Sequence, residues 1–195
     1  MTQPATHLFT PATNYSPKLL PILCYPDARL HTVAQPVVRF DAALHNLAAD
    51  MAHTMYEAPG VGLAATQINV HQRLLMADTS EDRSQLVALI NPVIIWASES
   101  RKLWEEGCLS VPGVYEEVQR PDMIRVRAFN VKGEPFEIEA DGLLSVCIQH
   151  EIDHLDGKVF VQYLSQLKQG RIKTKMLKLA KDSIKDTAKE AMHGA

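Results

Sequence analysis

At 195 residues the chain is long enough for one domain with a real core, and its 46% apolar and 22% charged residues are ordinary for a soluble globular protein. A formal net charge of −3 makes no general case for nucleic-acid or membrane binding, and no stretch approaches the roughly 20 apolar residues of a membrane span. The cysteines (Cys24, Cys108, Cys147) are too few and too widely spaced for a disulfide framework, and the N-terminus lacks a secretory pattern, so a reducing, cytoplasmic setting is expected.

Residues 1–17 (MTQPATHLFTPATNYSP) show no periodicity and read as an extended arm or disordered tail, unless Phe9 and Tyr15 pin them to a neighbouring surface. From Asp41 to Glu57 the spacing of Leu44, Leu47, Ala48, Met51 and Met55 is helical, and Gly60 ends the run. The segment Gly60-Val61-Gly62-Leu63-Ala64-Ala65-Thr66-Gln67 follows. Its small residues suit a turn or close packing, or bare backbone that an extended peptide could approach as an added strand. It is no dinucleotide motif, because a third glycine is missing and no strand leads into it.

Residues 73–77 and 86–90 read as strands separated by a polar loop. Between Met123 and Ala140 a hairpin is predicted: Ile124, Val126 and Ala128 share one face, the chain turns at Lys132-Gly133, and Phe136 and Ile138 return on that face. A helix follows between Asp141, as N-cap, and Gly157, as stop. Leu143, Val146, Cys147, His150 and His154 form one stripe of it, and Leu144, Ile148, Ile152 and Leu155 cover much of the rest, so it is a buried helix. A second, exposed helix runs from about Ser165 to the end. Six cations and no acid lie between Lys168 and Lys181, opposite an apolar stripe of Leu177, Ala180 and Ile184. Strands that precede helices predict an α+β fold: antiparallel strands packed around the buried helix, with the C-terminal helix outside.

The chemistry concentrates in His150-Glu151-Ile152-Asp153-His154. Histidines four apart on a helix lie one turn above each other and can aim two imidazoles at one divalent ion. Glu151 is placed to handle the proton of a water at that ion. Buried without compensation, these polar groups would be costly, and a metal ion compensates them. A catalytic site needs a third protein ligand and an open position. Cys108, His53, Asp153 and Cys147 all remain candidates on residue chemistry, and spacing alone does not choose among them.

Taken together, GVGLAATQ (60–67), EGCLS (106–110) and HEIDH (150–154), in this order, resemble the signature motifs of the peptide deformylases, which remove the formyl group from the N-terminal formylmethionine of new proteins. The resemblance spans about residues 18–180, and it makes 18–195 a single catalytic domain. It implies Cys108, His150 and His154 as metal ligands, Glu151 as general acid–base, and Gln67 with the Leu109 N–H as oxyanion donors. Val61, Gly62 and Gly107 would pair with the substrate backbone, and Val61, Leu143, Val146 and Cys147 would receive the methionine side chain. One divalent ion per chain is implied, ferrous iron in the cell, with zinc, nickel or cobalt in preparations. Partners would be formylmethionyl nascent peptides and, through the basic helix, the ribosome; neither DNA nor a membrane is expected. Tyr115 stands where some members have an arginine near the substrate. The competing readings are a zinc endopeptidase, which HExxH alone fits equally well, and a non-catalytic binder, which predicts loss of Glu151, Gln67 or a ligand.

Overall fold

A computed structural model of the chain describes residues 8–193, with side chains to residue 182. Helix α1 (Ala42–Glu57) begins where Asp41 caps it, accepting the Leu44 N–H at 3.1 Å. Gly60 closes it by donating its N–H to the Met55 carbonyl at 2.8 Å. Leu44, Ala48, Met51 and Met55 turn inward, as their spacing predicts.

Strands β1 (Gly62–Ala64), β2 (Leu74–Ala77) and β3 (Val87–Ala97) come next, followed by β4 (Arg101–Gly107), β5 (Tyr115–Pro121), β6 (Met123–Phe129) and β7 (Pro135–Asp141). All pairings between these strands are antiparallel. One sheet runs in the order β1-β2-β3-β6-β7, and β4 and β5 form a separate two-stranded sheet. Two points differ from the sequence reading. β3 continues past residue 90 to Ala97 because its second half changes partner from β2 to β6. The β4–β5 hairpin was not anticipated, since most of its side chains are exposed and its buried positions include the charged Glu106 and Arg120. The β6–β7 hairpin follows its alternation, with Ile124, Val126, Ala128, Phe136, Ile138 and Ala140 all buried.

Helix α2 (Gly142–Leu155) packs across β1, β2 and β7, with Ile148 and Leu155 in the same apolar cluster as Leu75, Leu89 and Val126. Asp141 occupies its N-cap position without a side-chain capping bond. Gly157 stops it at φ 73°, and a Cβ there would lie 2.6 Å from the His31 carbonyl oxygen, so both conformation and space require glycine.

Helix α3 (Gln166–His193) corrects one expectation. Its docked side chains are Ile172 and Met176, one turn apart, which join Val111, Val114, Val118 and Phe160. Ala180 continues the stripe of Ile172 and Met176 by one more turn but is exposed, Leu177 lies on a neighbouring stripe and is exposed, and the Ile184 side chain lies outside the described residues. At the other end, Leu8 bridges to Val87, and Phe9 donates its N–H to the Leu86 carbonyl at 2.8 Å and enters the α1 core at 7% exposure. The Tyr15 hydroxyl and the Lys18 N–H both donate to Asp50, at 3.0 and 2.7 Å. Residues 1–7 of the expected arm lie outside the described residues.

Candidate active site

The end of β4 and the middle of α2 bring three donors together. The ligand atoms of Cys108, His150 and His154 lie within 4.8 Å of one another, and Cys108 Sγ is 3.2 Å from His154 Nε2. Among the described residues no other group of three or more His, Cys, Asp or Glu side chains converges in this way. The other candidates for third ligand are placed elsewhere. Asp153 pairs with Arg120 at 2.6 Å, the Cys147 thiol donates to the Val61 carbonyl at 3.3 Å, and His53 sits on α1 outside the group.

His150 is oriented by a residue that sequence reasoning missed. Its Nδ1 lies 2.8 Å from Glu106 Oε2, which leaves Nε2 as the free donor atom and fixes the tautomer. Arg120 grips the same carboxylate with two bonds, Nε to Oε1 at 2.7 Å and Nη2 to Oε2 at 3.0 Å. Burial works to raise the Glu106 carboxyl, and the hydrogen bonds from His150 and Arg120 outweigh it, holding the group below the ordinary glutamate range. The one available signal was that Arg120 shares a face of β5 with Val118, two residues away.

Glu151 is buried, and its Oε2 has no hydrogen-bond partner among the described residues. Burial pushes its carboxyl up to about 7, in the range suited to passing a proton at neutral pH. Gly62 makes room for it: a Cβ there would lie 2.5 Å from Glu151 Oε1 and 2.7 Å from Cys147 Sγ. Gln67 lies in the 3-10 turn after β1. Its Oε1 accepts the Ala64 N–H at 2.8 Å, while Nε2 reaches Ser110 Oγ at 3.2 Å and Cys108 Sγ at 3.6 Å. The preceding strap secures both loops, with Leu23 N–H on the Gln67 carbonyl and Tyr25 N–H on that of Ser110.

A cleft of about 520 Å³ opens over this cluster. Val61, Gly62, Gly107, Cys108, Leu109, His150 and Glu151 all face it. Leu143, Val146 and Cys147 are not among its walls; Leu143 is half-exposed, and Val146 and Cys147 are buried on the same α2 stripe, Cys147 behind Val61 and Gly62. Because β1 is the outermost strand of its sheet, one of its edges is free of strand partners among the described residues. One thiol and two imidazoles, beside an open cleft and an unpartnered buried carboxylate oxygen, are a donor set fitted to a catalytic divalent ion.

The family model for polypeptide deformylase matches residues 19–170. The chain belongs to the peptide deformylase family. A peptide deformylase of Burkholderia multivorans is 61% identical over 175 residues, covering 90% of this chain and 96% of its own length. One from Ralstonia nicotianae is 64% identical over 160 residues, covering 82% and 95%. The crystal structure of a peptide deformylase from Legionella pneumophila superposes with a TM-score of 0.82 at 45% identity, over 86% of this chain and 98% of that one. Deformylases are metal-dependent hydrolases that remove the N-terminal formyl group from nascent peptides, and this is the activity of the chain. Nothing in these comparisons supports the endopeptidase reading.

Proposed function

We propose that Cys108, His150 and His154 hold one divalent cation and that Glu151 carries the proton in hydrolysis of the formyl group. The observation that supports this most is the convergence of the three donors beside buried Glu151 in the cleft under β1. A divalent ion held there would polarise the formyl carbonyl and bring water ionisation toward neutral pH. The substrate backbone would lie extended between the free edge of β1, at Val61 and Gly62, and Gly107. Its methionine side chain would go toward Val61, Leu143, Val146 and Cys147. Gln67 Nε2 and the Leu109 N–H would stabilise negative charge on the former carbonyl oxygen. Glu151 takes the proton from the attacking water and delivers it to the departing amine, leaving formate and a free N-terminus.

Thiolate and imidazole donors suit iron, zinc, nickel and cobalt, and ferrous iron is our reading of the native ion. Among the described residues no helix is long and apolar enough to cross a membrane, which is compatible with work in the cytoplasm. Ribosome docking through α3 is the finer partner reading. Lys168 is engaged with Glu116 and Lys175 with the Gly113 carbonyl, each at 2.6 Å. Arg171, Lys173, Lys178 and Lys181 are exposed and suited to phosphate.

Release of formate from a formylmethionyl peptide tests the assignment of Glu151. Glu151→Gln should keep the metal content of the wild type and lose on the order of 10²–10⁴-fold in turnover. Loss of the metal together with the activity would make Glu151 a structural support of the ligands instead.

A further inference from the structure

We propose that Tyr163 is a positioning residue for the metal centre, holding the outer end of the side-chain chain Asp153–Arg120–Glu106 that orients His150. This rests on the metal-site assignment above. The 3-10 turn Phe160–Tyr163 leaves α2 and touches the centre from two sides. Phe160 is buried with its ring 5.9 Å from that of His150. On the outer side the Tyr163 hydroxyl donates to Asp153 Oδ1 at 2.9 Å, and the Arg120 guanidinium carbon lies 4.9 Å from the Tyr163 ring centroid.

Arg120 is thereby held on three fronts. Two bonds run to Glu106, one runs from Nη1 to Asp153 Oδ2 at 2.6 Å, and the tyrosine ring covers its face. The side chains of Arg120 and Glu106 are only 6% and 2% exposed, whereas Tyr163 is 50% exposed. Tyr163 is therefore the cover between this ion network and solvent. A buried charge network is favourable only when every member is satisfied, and water entering at Arg120 or Asp153 would weaken it. Glu106 would lose its two-point anchor, and His150 Nδ1 would face a carboxylate free to rotate. Outer groups of this kind commonly contribute tenfold or more to metal affinity, through ligand orientation and basicity.

The test uses cobalt-loaded full-length protein, read by its absorption bands and by the rate of cobalt release to a chelator, with the unfolding temperature of the metal-free protein measured alongside. Tyr163→Leu should shift the cobalt bands and release the ion about tenfold faster. Tyr163→Phe keeps the ring and loses only the hydroxyl, so its release rate should fall between the two. Asp153→Asn combined with Tyr163→Leu should be less than multiplicative, since both act through Arg120. Unchanged bands and release rates in both Tyr163 variants, with only the unfolding temperature lowered, would overturn the proposal and leave Tyr163 a packing residue. Failure of the wild type to show a thiolate–cobalt charge-transfer band would instead overturn the metal-site assignment, and this proposal with it.

Discussion

The two ends of the chain, both reaching beyond the segment matched by the family model at 19–170, meet the domain in opposite ways. The N-terminal stretch is rich in proline and threonine and has no periodicity, yet Phe9 is only 7% exposed and Tyr15 and Lys18 are tied to Asp50. The C-terminal 28-residue helix has strong amphipathic spacing, yet it docks through Ile172 and Met176 and then leaves every side chain from Leu177 to Lys181 exposed. Regular spacing tells what the backbone does with its own hydrogen bonds. Attachment to the body depends on a few large apolar side chains and on who receives the neighbouring N–H groups.

That contrast can be broken by substitution. The largest effect is expected at Phe9→Ala, which empties a core position and should cost about 3 kcal/mol in urea denaturation. A cost below about 1 kcal/mol would mean that the N-terminal segment is attached no better than a surface loop. Met176→Ala is next, at about 2 kcal/mol, because its site lies at the edge of the fold and can partly collapse. If Met176→Ala costs more than Phe9→Ala, the contrast between the ends is reversed. The smallest stability effect is expected from reversing Lys173 and Lys178 to glutamate, within about 0.5 kcal/mol, since neither contributes to the docked face. That same variant should lose salt-sensitive co-sedimentation with ribosomes. Binding equal to wild type would leave the basic run a solvated face.

Helix α2 and the β6–β7 hairpin were legible because their apolar residues repeat at the period of the element that buries them. His150 and His154 could be paired from spacing alone. Cys108 could not, because it arrives from another strand and a distance along the chain says nothing of a turn in space. Only the co-occurring motifs singled it out. Glu106 and Arg120 were invisible for a different reason: on a mostly exposed hairpin, charged residues look like solvent-facing ones, and their burial depends on α2 lying across them. The docked face of α3 differs from the sequence reading, since Ile172 and Met176 carry it and Leu177 does not. Several apolar residues crowd that helix, and only the partner surface at Val111, Val114 and Val118 selects among them.

Gly62 has a bearing on inhibition and the evolution of resistance. A compound that binds along β1 would read main-chain atoms, which no point substitution other than to proline deletes. The obvious route of escape, a side chain at position 62 to block the compound, is closed by Glu151, the base we propose. Any Cβ there would stand 2.5 Å from Glu151 Oε1, displacing the carboxylate we propose as base before it displaced the compound. Escape mutations should therefore gather at neighbours whose side chains face the cleft without touching Glu151, while the backbone stripe itself stays fixed.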